Sequence, residues 1–179
     1  QPMKLTLLGT GTSQGVPTIG CRCEVCRSTD THDQRLRTSA MLEVGECRIV
    51  IDCGPDFRQQ MLRTGVRQID AILLTHEHKD HTAGLDDVRA FNFVDYPIIR
   101  VVDIYATERT ARTIRKDFDY AFVENKYRGV PEIRLHEIDG VAPFANQFKI
   151  FSLSNFNSKV LTVFGFLSSH RYEILCTAH

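Results

Sequence analysis

Neither sign of charge dominates this chain. Lysine plus arginine and aspartate plus glutamate each number 22 among 179 residues, so no overall field draws it to nucleic acid or to an acidic membrane. No apolar run approaches the ~20 residues that span a bilayer, and no basic start with an apolar stretch and a small-residue cleavage site is present. A cytoplasmic protein is expected, with Gln1 and Pro2 ahead of Met3 reading as a cloning remnant. No repeat or low-complexity segment stands out. The glycine-rich run Gly9-Thr10-Gly11-Thr12-Ser13-Gln14-Gly15-Val16-Pro17 lacks the lysine of a phosphate loop, which leaves a structural turn as its reading. The length fits a single domain with a real core.

Six cysteines are present, but Cys21, Cys23 and Cys26 lie too close together for a conventional disulfide framework. Clustered cysteines in a cytosolic chain point to metal or redox chemistry. Three thiolates need a fourth ligand to close a tetrahedral zinc site, and His32, His136, His170 and His179 are the candidates. Cys47, Cys53 and Cys176 sit in or beside apolar stretches and read as small core residues.

The run Thr75-His76-Glu77-His78-Lys79-Asp80-His81 is the most informative feature. It packs three imidazoles and a carboxylate behind an apolar strand, a donor set that suits zinc, manganese or iron. His76, His78 and Asp80 alternate, with His81 adjacent, so the spacing predicts an extended or turning loop rather than a helical zincin site. Glu77 and Lys79 then read as solvent-exposed spacers. Asp52 ends a buried strand and either braces the metal loop by hydrogen bonds or only caps a turn.

The apolar patterning predicts strands over Lys4–Leu8 and Asp70–Thr75, and a hairpin of Ser39–Val44 with Cys47–Asp52 across Gly45-Glu46. Further strands are expected over 98–106, 133–138, 148–153, 160–167 and 172–176. Phe57, Met61 and Leu62 mark one helix. Thr107 caps another from Glu108 to about Tyr120, with Ala111, Ile114 and Phe118 inward and Arg109, Arg112 and Arg115 on a solvated face. A turn over 81–89 should lead into a helix as well. Strands alternating with helices define an α/β protein, and a strand end feeding a loop before a helix is where such sheets place their chemistry.

These residues resemble the metallo-β-lactamase fold superfamily, whose signature His-x-His-x-Asp-His is met at His76, His78, Asp80 and His81. Leu7 to Pro17, the cysteine cluster, Ile51 to Asp56 and Gly84-Leu85-Asp86-Asp87 look like its phosphoribosyl cyclic phosphate phosphodiesterase branch, over about residues 3 to 151. The resemblance implies a four-layer α/β/β/α sandwich with metals at one edge. His76 and His78 would bind one divalent ion (zinc or manganese), and Asp80 and His81 a second. Asp80 would also orient the attacking hydroxide, and the cysteines would hold a separate structural zinc. The implied activity is hydrolysis of a small cyclic phosphate or related phosphodiester; the cysteine cluster and neutral charge favour that small substrate over nucleic acid as the partner, and a homodimer is among the expected assemblies. The second half departs from the pattern: Ser154 to Lys159 carries no histidine, and Leu175 to His179 no aspartate. A truncated or altered single domain over 1–179 is therefore expected. The alternatives are an RNA-processing nuclease or thioester hydrolase with the same loop, or a non-catalytic zinc-binding fragment.

Overall fold

The computed structural model describes residues 3–138 with their side chains, and the backbone of 141–144, 148–154, 161–168 and 171–178. Six strands lie side by side in chain order: β1 (Met3–Gly9), β2 (Ser39–Val44), β3 (Cys47–Ile51), β4 (Ala71–Leu73), β5 (Val102–Ala106) and β6 (Ile133–Glu137). β1, β2 and β3 pair antiparallel. The pairs β3–β4, β4–β5 and β5–β6 are parallel, and parallel neighbours need crossovers. These contain α1 (Phe57–Thr64), the short α2 (Lys79–Thr82) and α3 (Arg89–Asn92), and α4 (Glu108–Asp117). A second sheet is an antiparallel meander of β7 (Val141–Phe144), β8 (Phe148–Ser154), β9 (Leu161–Ser168) and β10 (Arg171–Ala178).

Strand alternation splits the core in two. Met41, Val50, Ile72 and Ile104 point to the helices and pack with Phe57, Met61, Ala111 and Ile114. Leu42, Ile49, Ile51, Ala71, Leu73 and Tyr105 form a separate cluster. All three residues of β4 are fully buried, as expected for a central parallel strand covered on both faces. The Thr107 hydroxyl accepts from Thr110 N–H at the start of α4, as its sequence position predicts.

Several boundaries shift. The expected strand over 98–106 starts only at Val102. Arg100 N–H donates to Asn92 O at 3.0 Å, and the Asn92 amide returns to Arg100 O at 2.6 Å, so the preceding segment bonds to the end of α3 instead of a strand neighbour. Leu62, placed on the buried stripe of α1 by its spacing, is 65% exposed. α4 stops at Asp117 and a separate turn of 3-10 helix covers Asp119–Ala121.

Candidate metal centre

The parallel strands bring the C-terminal ends of β3, β4 and β5 to one edge of the sheet, so the segments leaving Ile51, Leu73 and Ala106 meet there. Asp52 N–H donates to Leu73 O at 2.8 Å, and Leu74 N–H to Tyr105 O at 2.9 Å. From this buried platform the chain rises into the histidine run. His76 and His81 are 7% and 5% exposed, His78 is exposed and Asp80 half-buried. The His76 ring centroid lies 4.6 Å from that of His78 and 4.1 Å from that of His81. The run is not an extended loop throughout: α2 begins at Lys79, and His81 N–H donates to His78 O at 3.0 Å. That helical turn brings His81 back beside His76.

Asp52 organises this arrangement. It is 2% exposed, and its carboxylate accepts from Thr75 N–H at 2.8 Å and from the Thr75 hydroxyl, 2.9 and 2.8 Å from its two oxygens. His81 Nδ1 lies 2.7 Å from Asp52 Oδ2. A carboxylate only accepts, so this bond sets Nδ1 as the protonated nitrogen and turns Nε2 toward Asp80, 3.2 Å from its Oδ2. Asp52 therefore braces the loop and does not merely cap a turn. Its backbone is left-handed, with φ 62°, a conformation that aspartate tolerates better than most residues. Burial alone would lower the pKa of His81, but the hydrogen bond and charge of Asp52, with Asp80, more than offset it and raise the pKa. A divalent cation held by the Nε2 of His81 would stand in place of a second ring proton, so the donor set fits a metal.

Two glycines let backbones touch at the same corner. A Cβ on Gly54 would meet Asp80 O at 1.9 Å, and one on Gly84 would meet Gly54 O at 2.1 Å. Cys53 links the two segments: its N–H donates to His81 O and its O accepts from Gly84 N–H, both at 2.8 Å. Cys53 is fully buried, in keeping with a core role.

The spacers Glu77 and Lys79 do more than face solvent. The Glu77 side chain is only 18% exposed and lies 2.6 Å from the guanidinium of Arg109. Lys79, although exposed, pairs with Asp117. Both partners belong to α4, so Arg109 is not only part of a solvated face. Sequence spacing carries no sign of a helix whose residues reach the loop from 32 and 38 positions further on.

The thiols of Cys21, Cys23 and Cys26 all lie within 4.8 Å of one another. Cys26 N–H donates to Cys23 Sγ at 3.4 Å and Thr18 N–H to Cys26 Sγ at 3.4 Å. The Cys26 N–H, helped by the neighbouring thiols, lowers the pKa of Cys23. The Thr18 N–H favours a thiolate at Cys26, but its bonds with Cys21 and Cys23 outweigh that and raise its pKa. Three soft donors converging on one point, with N–H groups aimed at sulfur, suit zinc. Of the candidate fourth ligands, His32 Nδ1 is engaged by Asp30 at 2.7 Å. His136 Nε2 is engaged by Asp103 at 2.7 Å, with its ring stacked on Tyr105. Neither joins the thiol group among the described residues. His170 and His179 lie outside the described residues, as do residues 155–160 and the side chain of Cys176.

Residues 47–170 match the model of the beta-lactamase superfamily domain. This chain belongs to the beta-lactamase superfamily. Among solved members of like fold, a diphosphatase from the PhnP family superposes with a TM-score of 0.76 and 38% identity, over 93% of this chain and 62% of that one. Zinc-bound PqqB from Methylobacterium extorquens superposes with a TM-score of 0.69 at 20% identity, over 95% and 61%, and shows the shared fold alone. The expected superfamily and α/β sandwich class are thus borne out. A curated octanoyltransferase from Porphyromonas gingivalis is 47% identical over 144 residues, covering 79% of this chain but 28% of that protein. A coenzyme PQQ synthesis protein B from Methylobacterium nodulans is 38% identical over 101 residues, 49% of this chain and 34% of that protein. The chain therefore spans about a third or less of these two relatives.

Proposed function

We propose that this superfamily member is a metal-dependent phosphodiesterase that hydrolyses a small cyclic phosphate or a diphosphate ester. The observation that carries the reading is the buried Asp52–His81 pair, which orients one imidazole of a clustered set of three histidines beside Asp80. Such a bond to a carboxylate fixes ring orientation and strengthens a histidine as a ligand. His76, His78, Asp80 and His81 would hold two divalent ions, zinc or manganese, and Cys21, Cys23 and Cys26 a structural zinc. The ions, when bound, supply Lewis acidity and a nucleophilic water near neutral pH. The protein's share is to keep His81 in one tautomer through Asp52 and to set the Asp80 carboxylate beside it, where it can orient the nucleophile. The likeness to a PhnP-family diphosphatase at 38% identity supports a phosphate ester as the substrate. The octanoyltransferase name belongs to a protein of which the match covers 28%, and it does not carry acyl transfer to this chain. The reading includes a cytoplasmic setting, where exposed thiols stay reduced.

The test is metal analysis with an assay on bis(p-nitrophenyl) phosphate, a cyclic ribose phosphate and a nucleoside diphosphate ester. Hydrolysis that is lost on chelation and restored by zinc or manganese is expected. A histidine cluster fully loaded with metal and inert on all three substrates sinks the proposal. One tight zinc in the thiols alone would favour a non-catalytic remnant.

A further inference from the structure

Building on the metal reading above, we propose that Glu77 and Lys79 are positioning residues that clamp the ligand loop onto α4, holding His78 and Asp80 in place before a metal arrives. Along the loop, anchors and ligands alternate: Glu77, His78, Lys79, Asp80. Glu77 Oε1 lies 2.6 Å from Arg109 Nη2, and its Oε2 accepts from the Thr110 hydroxyl at 3.4 Å. Lys79 donates to Asp117 and sits 6.0 Å from the Phe118 ring centroid. Arg109 and Asp117 are about two turns apart on α4, so the helix grips the loop at two separate points.

The grip matters most for His78. His76 and His81 are fixed by burial, whereas His78 is exposed and depends on its backbone for aim. That backbone is pinned from below, where His78 O accepts from His81 N–H and from the Thr82 hydroxyl, each at 3.0 Å. The two ion pairs pin it from the sides. α4 is a firm support, because Ala111 and Ile114 are fully buried and Thr107 caps its start. Exposed ion pairs add little to global stability. A loop already ordered at both anchors loses less conformational freedom on binding a metal, so the effect falls on affinity.

The experiment titrates the metal-free chain with cobalt(II). Cobalt in the cysteine cluster shows a thiolate-to-metal charge-transfer band, and cobalt in the histidine loop shows ligand-field bands alone. Arg109→Glu and Asp117→Lys are each expected to weaken the histidine-loop cobalt ~10-fold, and the pair ~100-fold, in the range seen when outer partners of ligands are lost. The cysteine site should be unmoved. The swaps Glu77→Arg with Arg109→Glu, and Lys79→Asp with Asp117→Lys, should recover most of the loss. Amide exchange at 77–80 in the metal-free protein should rise in each single variant and fall back in each swap. Arg109→Gln and Asp117→Asn serve where a reversal prevents folding. Single variants that bind cobalt like the parent, or swaps that fail to rescue, overturn the clamp. A parent chain that shows only the thiolate band overturns the metal reading itself and the clamp with it, a result distinct from equal binding by parent and variants.

Discussion

The two segments proposed to bear metal ligands rest on different supports. His76–His81 leaves a fully buried strand, closes a helical turn and leans on a buried carboxylate and on α4. Cys21–Cys26 lies in the long connection between β1 and β2, where Cys21 and Cys23 are exposed. That connection is joined to itself by isolated bridges at Gly11–Arg37 and Val16–Arg35, and to Asp56, the residue just before α1, by its 2.8 Å pair with Arg37. In the first segment the fold shapes the ligands before any metal binds. In the second a few N–H···S bonds shape them weakly, and a bound metal would complete the order. The two sites should accordingly fail in different ways.

The largest expected effect comes from Asp52→Ala. It strips the partner from Thr75 N–H, the Thr75 hydroxyl and His81 Nδ1 and forces a new residue into a left-handed corner. Breaking a buried pair on one side costs ~3–5 kcal/mol, readable in urea unfolding. Cobalt should leave the histidine loop while the thiolate band stays. Loss of both bands together would show that the two segments are not independent.

Gly54→Ala comes next. Its Cβ would press on Asp80 O at 1.9 Å, and backbone cannot swing aside as a side-chain end can. Overpacking of this kind costs ~1–3 kcal/mol, and thermal unfolding with a cobalt titration should show lower stability and weaker histidine-loop binding. Unchanged metal affinity would mean that Gly54 contributes nothing to ligand placement.

Cys23→Ser should act in the opposite sense. One zinc should be released and the stretch over 18–35 should become open to limited proteolysis, a local loss because none of these residues belongs to either core cluster. A protease pattern identical to that of the parent would argue that this segment, too, is ordered by the fold.

The smallest effect contrasts thiols. Burial, with Asp70 adding to it and Arg48 opposing, pushes Cys47 from 9.0 up to about 11. Its neutral form is the one the fold favours, so the stability it contributes is complete below pH 9 and is lost as the pH rises through about 11. Iodoacetamide labelling of the zinc-free chain at pH 8, followed by mass spectrometry, should modify Cys23 well before Cys47 and modify Cys47 readily only near pH 11. Equal labelling at pH 8 would break the contrast.

Much of this was legible in the residues. The histidine run, the hairpin across Gly45, the cap at Thr107 and the clustered thiols are local patterns, and local patterns survive folding. Asp52 left two readings open because its partners, Thr75 and His81, lie 23 and 29 residues away. Glu77 departs from the exposed-spacer reading, and Lys79, exposed as expected, carries an ion pair that spacing does not show, for a related reason: the alternation of a loop says which side chains diverge but not that a helix waits on the far side. The β-branched run at Ile98, Ile99 and Val101 suggested a strand, yet the reciprocal bonds of Asn92 and Arg100 use that backbone otherwise. In each case the deciding contact was made by an element placed by the sheet order.

The left-handed backbone at Asp52 also bears on how such a chain can drift. Asparagine or glycine can keep the corner but not the negative charge, while a β-branched or bulky residue cannot enter it without strain. Position 52 is therefore a narrow gate. A lineage released from the need to hold metal is expected to record that release there early, as Asn or Gly, while its histidines still stand.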